Sequence, residues 1–323
     1  MESKRSTIMR WLEQGLIAQD NAEQALSVAG VLPDAQRWQH FLERLLLWLG
    51  ALALAFSLMF FIAYNWDAMG RYAKFALIEV AIVAGLAGYW KLGGELLAAK
   101  VILVVCSLLV GVLLAFYGQT YQTGADPWQL FFNWSLLILP WVVVARFAAL
   151  WVLWLSLLNL SMVLYFQAMG GLFWILFAST ENLLWAAFVL NSLAWLVWEK
   201  AALHIQWLAE RWALRLLALA SGSAITWLNV FAIFDKSSTL YVSIPVYLLW
   251  MGSILYVYKA RIKDLFMLAG FCLSGIIVVT SAAARMLSFD DDAGTFFILT
   301  LLVMGMTAGA AVWLRQVYQE QQA

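Results

Sequence analysis

The sequence contains few charged residues. Only 12% of its 323 residues are Asp, Glu, Lys or Arg, and 65% are hydrophobic. A soluble domain carries about 25% charged residues, so this shortage excludes an ordinary soluble protein. The formal net charge is +0, and because there is no basic excess the sequence predicts no nucleic-acid partner.

Cysteine and histidine are scarce as well. The two cysteines, Cys106 and Cys272, lie inside apolar stretches, where a free cysteine is usually a small buried hydrophobic residue. Without a Cys-x-x-Cys pair or a zinc-like Cys/His spacing, the sequence predicts no disulfide framework, no metal site and no cofactor. It contains no nucleotide-binding or hydrolase motif in a suitable context, so we predict no catalytic residues.

Apolar runs, by contrast, are abundant. Each is long enough to cross a hydrocarbon core about 30 Å thick. They lie near residues 45–64, 73–91, 97–117, 128–145, 147–166, 182–198, 212–232, 240–258, 264–284 and 295–314. The predicted fold class is therefore all-α: a polytopic α-helical membrane protein with about ten transmembrane helices in the lipid bilayer. The apolar piece at 170–180 is too short to span and is predicted to be interfacial or re-entrant.

The basic residues orient these spans. If the N-terminus is cytoplasmic, only four of the 19 Lys and Arg residues fall on the outer side: Arg71, Lys74, Lys236 and Arg285. The remaining 15 fall on the cytoplasmic side, which is the asymmetry that the positive-inside rule requires. We therefore predict that both termini are cytoplasmic.

The first part of the chain is polar and is predicted to be a domain of its own. We assign residues 1–43 to a cytoplasmic helical segment and residues 44–323 to the transmembrane bundle. The pattern favours a helix at 6–14 closed by Gly15, then a helix that begins at a capping box, residues 20–23, and ends near Gly30. So small a segment cannot build a large core, and it either caps the membrane face or docks a cytoplasmic protein partner.

Small residues recur four positions apart within several spans. These pairs are Ala81 and Gly85, Ala218 and Gly222, Gly270 and Ser274, and Gly305 and Gly309. Such pairs let helix backbones approach closely in lipid. They fit contacts inside one bundle or between protomers, and we favour the first because ten spans need many internal contacts. Residues 199–211 mix charged and apolar side chains and are predicted to form an interfacial amphipathic helix.

Polar side chains collect at the outer face in this topology, around a long loop at residues 117–128. The candidate ligand-binding residues are Asn65, Asp67, Glu79, Gln119, Tyr121, Gln122, Asp126, Asn133, Asn159, Gln167 and Glu181. Polar groups in a membrane are costly and usually face the bundle interior or a wet cavity, so we predict a periplasm-facing cavity for a polar or sugar-like ligand. The alternative is that these groups cap helix ends and satisfy one another, with Glu79 paired to Arg71 or Lys74.

Four short motifs carry a resemblance to a known family. They are residues 11–17 (WLEQGLI), 64–67 (YNWD), 121–126 (YQTGAD) and 139–141 (LPW). With these motifs, residues 1–200 resemble a bacterial family catalogued as domain of unknown function twenty-one fifty-seven, in which a short helical N-terminal segment precedes a multi-span region. The resemblance implies a bacterial inner-membrane protein and supplies no catalytic residues.

Two functions of different classes follow from these patterns. The first is a transporter or permease-like protein with a periplasm-facing polar cavity. The alternative is a non-catalytic membrane scaffold whose N-terminal helices dock a cytoplasmic partner. A third reading, an intramembrane enzyme acting on a lipid-linked sugar through Glu79, Asp67 or Asp126, lacks a second positioned group.

Overall fold

The computed structural model describes residues 4–31, 35–65, 68–168, 180–235, 239–287 and 293–322. Within these ranges the chain forms helices and short connections and no β-strand. The predicted interfacial piece at 170–180 lies almost entirely outside the described residues, as does Asp67.

The N-terminal segment contains the two predicted helices. The first, α1 (Lys4–Glu13), is followed by Gly15 in the left-handed region with φ 70°, a conformation that glycine adopts readily where a helix ends. The second, α2 (Ala22–Val28), follows a 3₁₀ turn at Gln19–Asn21. The predicted capping box is wrong, because the N-cap position of α2 is held by Asn21, whose side chain makes no capping hydrogen bond.

Among the described residues, ten helices are long and apolar enough to cross a membrane, which confirms the predicted fold class and span count. They are α3 (Ala35–Tyr64), α4 (Arg71–Leu92), α5 (Leu97–Tyr121), α6 (Pro127–Ala145), α7 (Ala148–Ala168), α8 (Thr180–Ala202), α9 (Arg211–Asp235), α10 (Leu240–Leu255), α11 (Leu265–Met286) and α12 (Ala293–Gln322). A π-helical segment, Tyr256–Arg261, continues α10. The protein is therefore a multi-pass membrane protein whose spans contact the bilayer.

The chain divides into two compact units. Unit 1 comprises residues 1–112 together with 319–323, and unit 2 comprises residues 113–318. The first membrane helix, α3, begins at residue 35 and runs without interruption past the predicted boundary at residue 43. That boundary remains a prediction.

In unit 1 a small residue brings two membrane helices together. A Cβ atom at Gly85 on α4 would lie 2.4 Å from the sulfur of Cys106 on α5, so only glycine fits there. The Cys106 thiol is buried and donates to the carbonyl of Ile82 at 3.7 Å. Cys106 is thus a packed thiol, as the sequence indicated.

The core of unit 2 lies where α8, α9, α10 and α11 pack. Trp195 and Trp198 of α8, Leu228 of α9 and Leu268 of α11 are buried in one apolar cluster. A Cβ atom at Gly222 of α9 would lie 2.6 Å from the indole of Trp250 on α10, so this glycine permits a close contact inside the bundle.

The connection between α8 and α9 differs from the prediction. Residues 199–211 do not form one amphipathic helix, because α8 ends at Ala202 and only a 3₁₀ turn, Gln206–Leu208, follows before α9. The indole Nε1 of Trp198 donates to the carbonyl of Leu208 at 3.2 Å. This bond fastens the connection to the end of α8 and offers a physical reason for its turn geometry.

Candidate functional site

Two of the predicted site residues are described in unit 1, and both are at or near the surface. The side chain of Asn65 donates to the carbonyl of Phe61 at 2.8 Å, so it satisfies the end of its own helix. Glu79 is exposed on α4. Among the described residues no ion pair joins Glu79 to Arg71 or Lys74, so the geometry does not support the predicted pairing.

The loop between α5 and α6 carries four predicted site residues, and all four are exposed: Gln119, Tyr121, Gln122 and Asp126. Gln122 and Gly124 adopt positive φ angles of 44° and 63°, which turn the chain sharply before Pro127 begins α6. The rings of Tyr117 and Tyr121 lie 4.9 Å apart. Asn133 on α6 and Gln167 on α7 are exposed as well.

Asn159 forms a reciprocal amide pair with Asn191. Its Oδ1 accepts from Asn191 Nδ2 at 2.7 Å, and its Nδ2 donates to Asn191 Oδ1 at 3.2 Å. Each amide also donates to its own helix, at the carbonyls of Leu155 and Ala187. The pair therefore links α7 to α8 at the middle of both helices.

Glu181 stands at the start of α8 with only one of its oxygens in use. The Thr239 hydroxyl donates to Oε2, whereas Oε1 is buried and has no hydrogen-bond partner among the described residues. A buried carboxylate oxygen without a donor is costly unless a proton or a ligand meets it. Of the predicted residues, Glu181 therefore has the strongest structural case for a site.

Thr239 is also the first member of a polar series that the sequence analysis missed. Ser243, Tyr247 and Tyr258 follow it on the buried side of α10 and its π-helical continuation. The first three are four residues apart, a spacing that places side chains on one helix face. We call Thr239, Ser243, Tyr247 and Tyr258 the α10 polar series.

Each middle member of the series is hydrogen-bonded to another helix. The Ser243 hydroxyl donates to Asn229 Oδ1 of α9 at 3.0 Å, and both side chains are fully buried. The Tyr247 hydroxyl lies 3.0 Å from Ser274 Oγ of α11, which in turn lies 2.6 Å from Thr226 Oγ1 of α9. Because all these groups are partnered, the cost of burying them is offset.

The last member, Tyr258, meets a second carboxylate. Its hydroxyl donates to Glu199 Oε2 at 3.1 Å and accepts from Trp195 Nε1 at 3.0 Å. Glu199 also binds Arg211 across the connection, with Nη1 3.2 Å from Oε1. A carboxylate is thus hydrogen-bonded to each end of the series: Glu181 to Thr239 and Glu199 to Tyr258.

The length of the α10 polar series matches a membrane. Tyr258 follows Thr239 by 19 residues, which is about 28 Å at 1.5 Å per residue, close to the hydrocarbon thickness of about 30 Å. The described residues hold no group of three or more His, Cys, Asp or Glu that suits a metal ion. Unit 2 therefore contains polar groups at intervals across the bilayer, in contact with carboxylates at both ends.

Comparison with known proteins adds a family to one part of the chain. The sequence model of a family described as "Predicted membrane protein (DUF2157)" matches residues 9–151, a shorter stretch than the predicted resemblance over residues 1–200. No curated protein and no solved structure matches the chain. The matched stretch ends within α7, so the α10 polar series lies beyond it. Residues 9–151 therefore resemble a family of predicted membrane proteins of unknown function, and the rest of the chain lies outside the match.

Proposed function

We propose that the protein is a permease-like transporter whose polar route lies inside unit 2, along the α10 polar series. One observation carries this proposal: hydroxyl groups recur on the buried side of α10 and its continuation over the depth of a bilayer, and the series contacts a carboxylate at each end. Polar groups inside spans commonly mark substrate or ion pathways.

The unpartnered oxygen of Glu181 favours a transport route over hydrogen bonds that only hold helices together. Asn159 and Asn191 satisfy one another, and so do the middle members of the α10 polar series and their partners. Glu181 Oε1 and the hydroxyl of Ser192, both on α8, are buried without a partner among the described residues. Glu181 Oε1 can accept a hydrogen bond from a polar solute or contact a cation, and the Ser192 hydroxyl can donate or accept a hydrogen bond.

The proposal includes a location and an orientation. We place the protein in the bacterial inner membrane with both termini in the cytoplasm, because the basic residues are distributed in that way. Glu181 then lies at the periplasmic end of the route and Glu199 at the cytoplasmic end. The exposed residues of the 119–126 loop lie on the periplasmic side, where they meet the solute before it enters.

Transport by the reconstituted protein tests this function. Proteoliposomes are offered a mixture of sugars, amino acids and organic acids, and the contents are measured by mass spectrometry. We expect the wild type to accumulate at least one solute above protein-free vesicles. Ser243→Ala should lower the initial rate about tenfold, the equivalent of one hydrogen bond of about 1.4 kcal/mol.

A matched control lies on the same helix. Ser253 is exposed, and its hydroxyl bonds only to its own helix, at the Leu249 carbonyl, so Ser253→Ala should transport as the wild type does. Equal rates for Ser243→Ala and Ser253→Ala would refute the proposed route. The absence of any accumulation by the wild type would refute transport of these solute classes.

A groove in unit 1 favours docking of a partner as a second candidate function. It lies between α1 and α2 and has a volume of about 460 Å³. Its lining residues are Thr7, Ile8, Trp11, Ile17, Ala25, Val28 and Ala29. Such an apolar groove suits the apolar face of an amphipathic helix from a cytoplasmic protein.

Site-specific crosslinking in cells tests the docking function. A photoreactive residue at Val28, in the groove, should crosslink one defined protein, whereas one at the exposed Glu13, outside it, should not. Trp11→Ala should abolish the Val28 crosslink while the membrane helices keep their thermal stability. Equal crosslinking at both positions, or none at Val28, would remove the docking function.

A further inference from the structure

A cleft opens between α9 and α11 of unit 2. It does not include the α10 polar series, although Thr226 and Ser274, which are hydrogen-bonded to each other beside Tyr247, lie in its wall. Its volume is about 140 Å³, comparable to dry apolar cavities of about 150 Å³ that take up benzene-sized molecules. Its walls are the facing sides of α9 and α11, between Ala218 and Trp227 and between Phe266 and Ile277, and Trp250 of α10 lies between them.

Two glycines in these walls have different roles. Gly222 is required by packing, because a Cβ atom there would meet Trp250 at 2.6 Å. A Cβ atom at Gly270 would meet no described atom within 4 Å. Gly270 therefore does not bring two helices together, and its missing side chain leaves space in the cleft.

The cleft faces lipid and has the depth of one leaflet. The side chains at its rim are large, apolar and exposed, including Leu219, Trp227 and Leu273. Along α11 its lining extends from Phe266 to Ile277, about 16 Å at 1.5 Å per residue. Half of a hydrocarbon core is about 15 Å thick, so the cleft matches the reach of one acyl chain.

The shallow end of the cleft carries an arginine. The Arg215 guanidinium lies 5.2 Å from the ring centre of Phe266, which lines the cleft. Its Nε and Nη2 bind the Asp264 carboxylate at 3.1 and 3.2 Å. Nη1 has no hydrogen-bond partner among the described residues and is available to a phosphate oxygen.

The surrounding charge favours an anionic head group. Within residues 199–215 and 259–264 there are six basic side chains and three acidic ones. The basic residues are Lys200, Arg211, Arg215, Lys259, Arg261 and Lys263, and the acidic ones are Glu199, Glu210 and Asp264. Basic clusters at the end of a helix bundle attract acidic lipids.

We propose that this cleft is a binding site for an anionic phospholipid, with one acyl chain between α9 and α11 and the phosphate at Arg215. The cleft supplies the shape and Arg215 supplies the charge. The site stands on its own and does not depend on transport by the protein.

Native mass spectrometry of the purified full-length chain tests the acyl-chain part. The protein is mixed with phosphatidylglycerol or phosphatidylcholine of identical acyl chains, and bound lipids are counted. We expect one tightly held phosphatidylglycerol on the wild type. Gly270→Leu should lose it, because the new side chain occupies space in the cleft at a position where a Cβ atom meets nothing within 4 Å, and the smaller Gly270→Ala should weaken it.

Gly305→Leu is the matched control, since Gly305 is also a glycine in a span with no described atom within 4 Å of a Cβ, and it does not line the cleft. It should keep the lipid. Retention by Gly270→Leu, or equal loss from both variants, would overturn the acyl-chain site.

The head-group part has a separate readout. The double variant Arg215→Gln with Asp264→Asn removes both partners of the ion pair and leaves the net charge unchanged. It should weaken the binding of both lipids about fivefold, because each phosphate loses the charge-assisted bond from Arg215. Unchanged binding of both lipids would overturn the assignment of Arg215, and equal binding of the two lipids by the wild type would overturn the anionic head group.

Discussion

Replacing Tyr258 by Phe removes a single oxygen from the most deeply buried end of the α10 polar series. The side chain is 0% exposed, so the ring of the variant keeps its packing. Trp195 Nε1, 3.0 Å away, loses its acceptor, and an unsatisfied buried donor costs about 1–3 kcal/mol. Glu199 loses a bond of 3.1 Å but retains Arg211. We expect Tyr258→Phe to lower the free energy of unfolding by about 2–4 kcal/mol.

Unfolding by sodium dodecyl sulfate in mixed micelles, followed by circular dichroism, measures this loss. Tyr256→Phe is the control, because Tyr256 lies on the same π-helical segment, is exposed and contacts only Arg261 at 3.4 Å. It should change stability by less than about 0.5 kcal/mol.

A double-mutant cycle then identifies the bond responsible. Trp195→Phe removes the other partner of the same hydrogen bond, so the double variant with Tyr258→Phe should cost less than the two single variants together. Equal stability of Tyr258→Phe and Tyr256→Phe would refute this expectation. So would a double variant whose loss of stability equals the sum of the losses from Trp195→Phe and Tyr258→Phe.

Three further predictions concern topology and packing. A single cysteine introduced at Ser238 should react with a membrane-impermeant maleimide from outside, and one at Ala260 only after permeabilisation; labelling of Ala260 in intact cells would contradict the proposed orientation. Gly222→Ala should destabilise the protein by about 1–3 kcal/mol in the same detergent assay, because its Cβ atom would meet Trp250 at 2.6 Å; an unchanged midpoint would count against that contact. Glu79→Gln should leave the unfolding midpoint within about 0.5 kcal/mol of the wild type, since no described ion pair is lost; a larger loss would reveal a partner for Glu79.

The class of fold was predictable because hydropathy is summed over a long window. Each span is about twenty or more residues long and mostly apolar, and no single position decides the outcome. The polar connection 199–211 was not predictable in the same way, since the sequence pattern does not show the bond from Trp198 to Leu208 that fastens the connection to α8. Composition alone favoured an amphipathic helix there.

The candidate site was only partly predictable for a related reason. Charged and amide side chains stand out in an apolar chain, so a sequence pattern can point to them. Asn159 and Glu181 were predicted in this way, and the structure places both in specific contacts. Hydroxyls at Ser243 and Tyr247 blend into an apolar span, and their four-residue spacing gains meaning only when the buried face of α10 is known.

The amide pair between Asn159 and Asn191 bears on how the chain enters the membrane during synthesis. The span that contains Asn191, α8, has the lowest hydropathy of the ten spans, and a lone amide in lipid opposes its release from the translocon. Asn159 on the preceding span offers the complementary donor and acceptor, so the unfavourable transfer is relieved when both helices partition together. The two helices are thus expected to leave the translocon and enter the membrane together, as one helical hairpin.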